Sequence, residues 1–236
     1  MSSTGEKIRI NDLHAYYGES HILHGIDMTI MQGELVTLLG RNGAGRSTTL
    51  KAMMNMVGRR TGMININGTE TINMAAHKIA HLGVGYCPEE RGIFSSLNVE
   101  ENLMLPPNVR SDGMSVEEIY DIFPNLAERR YSQGTRLSGG EQQMLAMARI
   151  LRTGANILLL DEITEGLAPV IVQKLAEVLL MLKERGLTIL LVEQNFRFAA
   201  PIADRHYVME HGHIVEEVHQ NELAEKTELL NTYLGV

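Results

Sequence analysis

Residues 35–51 read LVTLLGRNGAGRSTTLK, an apolar run that ends in a glycine-rich turn and opens directly into a helix-forming stretch. Gly40, four intervening residues, Gly45, Arg46 and Ser47 have the spacing of a phosphate-binding loop, with arginine where lysine is expected. Glycines 40, 43 and 45 let backbone N–H groups converge on an anion, and a helix starting near Gly45 adds the positive end of its dipole. The Ser47 hydroxyl can ligate Mg2+. Arg46 keeps the positive charge of the usual lysine, but it is longer, planar and forked, so it does not simply replace a compact ammonium. A second stretch, Leu137-Ser138-Gly139-Gly140-Glu141-Gln142-Gln143, is another helix start suited to an anion. Ser138 can cap it, Glu141 can complete a capping box, and the two glycines let a phosphate approach the backbone. A third is the apolar strand Ile157–Leu160, which ends in Asp161 and Glu162. Beside a phosphate loop, the first acid suits Mg2+ and the second can orient or deprotonate the water that attacks a γ-phosphate.

The elements around these motifs read as α/β. Residues 7–17 and 21–30 alternate as a half-buried antiparallel pair joined by Gly18-Glu19-Ser20. Tyr16 and Tyr17 end the first run, and one of them can stack on a purine. The strand that feeds the phosphate loop is Leu35–Leu39. After its helix the pattern predicts a strand and turn in GMININGTETI, a short helix over 75–81 and a strand over 82–86 closing on Cys87-Pro88-Glu89. Between Asn98 and Gly134 the periodicity becomes helical, with a Ser115/Glu118 capping box and breaks at Pro106-Pro107, Asp112-Gly113 and Pro124. Strands then follow at 156–161, 187–193, 205–210 and 213–218, with a helix over 169–185 and a last helical stretch over 220–234. The resulting division is one domain over residues 1–236, with a core of about 1–86 and 136–236 and a helical insert of about 87–135.

A chain of 236 residues, 44% hydrophobic and 21% charged, is an ordinary globular one. A formal charge of −8 and a pI near 5.6 argue against a nucleic-acid partner, which needs a basic stripe. Its lone cysteine, Cys87, cannot form an internal disulfide and reads as a small buried apolar residue. The N-terminus MSSTGEKIR lacks the layout of a signal peptide, so a reducing cytosol is expected. The longest apolar runs have strand length rather than membrane length. His206, His211, His213 and His219 straddle Gly212 without a zinc-like ligand set, which predicts a solvated surface and no structural metal. Met144 and Met147, at helical spacing behind the second motif, read as core filler.

The three motifs together, in this order and spacing, resemble the ATP-binding subunit of an ABC transporter over essentially the whole chain. The segments VGYCPEERGIF, NVEENL, DEITEGLAP and LLVEQNFRFAAPIADRHYVMEHGHIVE look most like the LivF-type subunits of branched-chain amino acid importers. The resemblance implies a P-loop NTPase of the ABC type with an antiparallel β subdomain and a helical insert, binding ATP and Mg2+. It implies a head-to-tail dimer, either with a second, LivG-like ATP-binding subunit or with another copy of itself, and ATP held between the P-loop of one subunit and the signature of the other. In that pattern Tyr17 stacks on adenine, and Gly40, Arg41, Asn42, Gly43, Ala44, Gly45, Arg46, Ser47 and Thr48 cradle the phosphates. Ser47 and Asp161 hold Mg2+, and Glu162 activates water. Ser138, Gly139, Gly140 and Glu141 cap the partner's nucleotide, Glu89 senses nucleotide, and Gln194 takes a switch position usually held by histidine. The remaining partners implied are membrane permease subunits and, indirectly, an extracytoplasmic solute-binding protein, which puts the chain on the cytoplasmic face of the inner membrane. Four positions depart from the general ABC pattern: Arg46, Glu89, Ala168 and Gln194. Of these, Arg46 raises a slow site of its own beside a competent partner site. The rival readings are a regulatory subunit with little turnover and a soluble ABC-family ATPase of translation or repair.

Overall fold

The computed structural model describes residues 5–111 and 113–235. The first four residues of the N-terminal stretch, and the Asp112 half of the Asp112-Gly113 break, lie outside the described residues. In chain order the elements are strands β1 (Glu6–Tyr17), β2 (Ser20–Met31) and β3 (Leu35–Gly40), helix α1 (Arg46–Met53), strands β4 (Arg59–Ile66) and β5 (Thr69–Glu70), helix α2 (Ala76–Ala80) and strand β6 (Val84–Cys87). Helices α3 (Val99–Met104), α4 (Val116–Ile122), α5 (Pro124–Glu128) and α6 (Gly139–Arg152) follow, the last preceded by a single turn at Gly134–Arg136. The chain then returns to α/β with β7 (Ile157–Asp161), α7 (Pro169–Glu184), β8 (Thr188–Glu193), α8 (Phe196–Ala199), β9 (Arg205–Glu210), β10 (His213–His219) and α9 (Leu223–Leu234).

Two sheets result. A six-stranded sheet runs in the order β10-β9-β3-β8-β7-β6, parallel except for the terminal β9–β10 hairpin. Strands β3, β7 and β8 are buried at every position, as parallel strands covered on both faces must be, and this explains their unbroken apolar runs. Successive residues of these strands face opposite cores. Leu158, Leu160, Ile189 and Leu191 pack with α3 to α7, whereas Ile157, Leu159, Leu190 and Val192 pack against α1 and the second sheet. That second sheet, β2-β1-β4-β5, is antiparallel and alternates buried and exposed positions.

Helices α3 and α4 begin with complete capping boxes, Asn98/Glu101 and Ser115/Glu118, and their apolar faces join the α6 core through Val99, Leu103 and Ile119. Met144 and Met147 are core residues of α6, and Cys87 is buried, which pushes its thiol up to about 12. One expectation is corrected. His206 is not a surface residue, because β9 lies between β3 and β10 and is covered on both faces. Its Nδ1 is 2.7 Å from the Thr37 hydroxyl, and burial pulls its pKa below the usual histidine range.

Candidate active site

Strand β3 delivers the chain to the turn that precedes α1. A Cβ on Gly40 would collide with the Met209 carbonyl oxygen, and Gly45, at φ 107°, has a left-handed backbone with room for no side chain beside Leu23. Helix α1 begins without a side-chain cap and without an acid in its first turn, so its N-terminus is left for an external anion. This turn forms one wall of a cavity of about 440 Å³ lined by Tyr17, Ile22, Asn42, Gly43, Ala44, Gly45, Arg46, Ser47, Thr48, Glu89, Glu162 and Glu165.

The two neighbouring acids come from the end of β7, next but one to β3 in the sheet. The Ser47 hydroxyl donates to Asp161 Oδ1 at 2.8 Å, and the Tyr86 hydroxyl donates to Oδ2 at 3.2 Å. Asp161 is 1% exposed, and burial raises its pKa against the lowering effect of those two bonds. Glu162 has a left-handed backbone, φ 47°, held by its N–H to the Val192 carbonyl. Its carboxylate accepts from Arg46 Nη2 at 2.6 Å. Arg46 is only 3% exposed; Nη2 also reaches Asn42 Oδ1 at 3.3 Å, whereas Nη1 is buried with no partner. A buried guanidinium with an unspent N–H pair at the head of an N–H-rich turn suits a polyanion. Burial raises the Glu162 pKa, Arg46 lowers it, and Glu89 and Glu165 raise it again. The carboxylates of Glu89, Glu162 and Glu165 offer oxygens within 4.8 Å of one another. Ser47, Asp161 and these acids are an oxygen donor set of the kind a hard cation such as Mg2+ takes.

The other sequence-chosen residues fall in three places. Tyr17 is 42% exposed at the cavity rim, while Tyr16 is stacked on His21 and covered by Arg59, which leaves Tyr17 as the tyrosine open to a base. Arg41 turns away from the cavity: its guanidinium donates to the Thr232 and Tyr233 carbonyls at the end of α9. Gln194 lines an adjoining cavity of about 300 Å³ that shares Glu162 and Glu165 with the first. Ser138, Gly139, Gly140 and Glu141 do not line the phosphate-loop cavity. They open α6 with a complete capping box, in which Ser138 is exposed. Sequence reasoning missed Tyr86, Glu165 and Lys51, whose charge lowers the pKa of both Glu89 and Asp161. Glu165 follows Glu162 by one turn, a spacing that was available as a signal. Tyr86 and Lys51 had none beyond their place on flanking elements.

A parallel sheet whose inner strand feeds a phosphate cradle, beside a strand ending in paired acids, defines a P-loop nucleotide hydrolase. The chain belongs to the ABC transporter family, whose profile matches residues 23–165, and it is an ABC-type ATPase. It is 36% identical over 231 residues to the high-affinity branched-chain amino acid transport ATP-binding protein BraG of Pseudomonas aeruginosa, covering 97% of this chain and 99% of that one. It is 35% identical to the probable branched-chain amino acid transport ATP-binding protein LivF of Archaeoglobus fulgidus, covering 97% and 99%. Against the lipopolysaccharide export system ATP-binding protein LptB of Escherichia coli it is 33% identical, covering 94% and 93%. The fold matches the crystal structure of an ATP-binding cassette of an ABC transporter in its ADP conformation, with a TM-score of 0.81 at 22% identity over 99% of this chain and all of that one. No helix among the described residues is long and apolar enough to cross a membrane.

Proposed function

We propose that this chain energises import of branched-chain or other amino acids through separate membrane subunits, hydrolysing ATP at the cytoplasmic face of the membrane. The observation that carries this reading is the likeness to BraG and LivF along nearly the entire chain. In this reading Tyr17 stacks on adenine, and the N–H groups of residues 43–48 with Arg46 hold the phosphates. Ser47 and Asp161 hold Mg2+, which supplies charge neutralisation on the phosphates when bound. Glu162 accepts the proton of the attacking water, Glu89 and Gln194 flank the reacting end, and Tyr86 keeps Asp161 oriented. Ser138, Gly139, Gly140 and Glu141 lie outside this chain's own cavity, which supports their service to a second cassette, a LivG-like subunit or another copy. Residues 87–135 form the helical subdomain that meets the permease.

The Arg46–Glu162 pair supports a slow site, because ATP has to break it before Glu162 is free to activate water. Arg46→Lys then raises turnover at this site, and unchanged turnover removes the slow-site reading. The function is tested with the chain and its membrane subunits in proteoliposomes. ATP turnover should rise with an extracytoplasmic binding protein loaded with leucine. Stimulation by lipopolysaccharide instead favours the export reading that the likeness to LptB supports.

A further inference from the structure

Outside the nucleotide cavity, four imidazoles form one continuous array on the face of the β1–β2 hairpin. His14 and His24 are direct cross-strand partners, and the ring of His21 lies 5.1 Å from that of His14 and 4.0 Å from that of His24. His213 of β10 continues the array, its ring stacked 5.1 Å from His24. The decisive contact is His14 Nδ1 to His21 Nε2, 3.0 Å apart. On its other side His14 Nε2 meets Asp12 Oδ1 at 3.1 Å, and Asp12 is placed by a left-handed backbone and by its own N–H bound to Asp27 Oδ1.

The carboxylate fixes the chemistry of this pair. With Nε2–H donated to Asp12, the Nδ1 lone pair of His14 faces His21, so the gap between the two nitrogens accepts either a proton or a metal ion. Two nitrogens on one tetrahedral zinc at about 2.0–2.1 Å each are roughly 3.3 Å apart, close to the separation seen here. A histidine whose second nitrogen is held by a carboxylate is the usual arrangement behind a metal ligand.

We propose that His14 and His21 form a site for an imidazole-binding divalent cation of the zinc class, oriented by Asp12 and completed by His24 and water. In the present rotamers only the His14 and His21 nitrogens meet, and His24 joins by turning its ring. The site is distinct from the oxygen-rich trio of Glu89, Glu162 and Glu165. Its hairpin leads into Tyr17, and Ile22 between His21 and His24 lines the nucleotide cavity, so the cation ties the hairpin down beside the nucleotide cavity.

The test is a titration of Zn2+ into the full chain, stripped of metal and without nucleotide, followed by calorimetry and by the imidazole nitrogen signals in NMR. One Zn2+ per chain is expected to bind, shifting the His14 and His21 signals. Binding should weaken 10–100-fold in Asp12→Asn, and at least as much in His14→Gln and in His21→Gln, with His219→Gln unchanged. Zn2+ uptake that survives His14→Gln and His21→Gln but is lost in Glu165→Gln puts the metal on the acidic trio and overturns the proposal. Imidazole signals that answer to pH but not to Zn2+ overturn it too, leaving a histidine pair that holds a proton only.

Discussion

The Arg46–Glu162 pair is open to a double-mutant cycle in the nucleotide-free protein, using Arg46→Met, Glu162→Gln and both together. The pair is short, 2.6 Å, and its side chains are 3% and 14% exposed, so solvent screens it little. A hydrogen bond to a charged group contributes about 1.5–3 kcal/mol, and breaking a buried pair from one side costs about 3–5 kcal/mol. Glu162→Gln keeps an oxygen for Nη2 and sits at the lower end. Arg46→Met leaves Glu162 facing Glu89, Glu165 and Asp161 without its cation and sits higher. The coupling between the two changes should therefore be about 1.5–3 kcal/mol. In a chain of 236 residues about 1 kcal/mol moves Tm by roughly 2–4 °C, so non-additivity of roughly 3–12 °C is expected in thermal melts. With saturating ATP in EDTA the guanidinium turns to phosphate oxygens, and the coupling should shrink. Additivity to within about 0.5 kcal/mol without nucleotide refutes the Arg46–Glu162 interaction, and a coupling that ATP leaves untouched refutes its release by phosphate.

Tyr17→Ala should weaken ATP binding by about 1–3 kcal/mol while Tyr16→Ala has little effect, read by titrating a fluorescent nucleotide; equal losses would show that Tyr17 is not the stacking residue. Burial pushes the Glu193 carboxyl up to about 7, against the lowering effect of the bonds it accepts from the Thr164 hydroxyl and N–H. Its folded pKa lies above its unfolded one, so the folded state binds the extra proton and stability falls as pH rises from about 4.5 to 7. Glu193→Gln should flatten that slope in urea melts, and an unchanged slope rules out Glu193 as its source. His206→Ala leaves the buried Thr37 hydroxyl unpaired and opens a cavity, costing about 2–4 kcal/mol in the same melts, whereas His219→Ala stays within about 0.5 kcal/mol.

The two sheets were legible because the central parallel strands carry mostly apolar runs and the strands of the antiparallel sheet alternate, two patterns with direct physical causes. Capping at Ser115 and Ser138 was legible for the same reason, since the acid three residues on is part of the motif. Short elements were not: α8 has four residues, too few for a helical period to show. The fate of His206 was hidden because burial of a polar strand residue depends on which strands flank it, and β9 pairs with β3 across 169 residues of chain. The site's residue types were readable and its pairings were not. Nothing local announces that the Arg46 fork closes on Glu162, 116 residues away, or that the Arg41 side chain donates to the end of α9.

The most direct measurement is ATP turnover of the chain assembled with its partner subunits, native against Glu162→Gln, at matched nucleotide occupancy and with the partner's site blocked. The expected result is a loss of about 10²–10⁴-fold in turnover with nucleotide affinity retained. Turnover near the native rate in Glu162→Gln would contradict the assignment of Glu162 as the group that takes the proton from the attacking water.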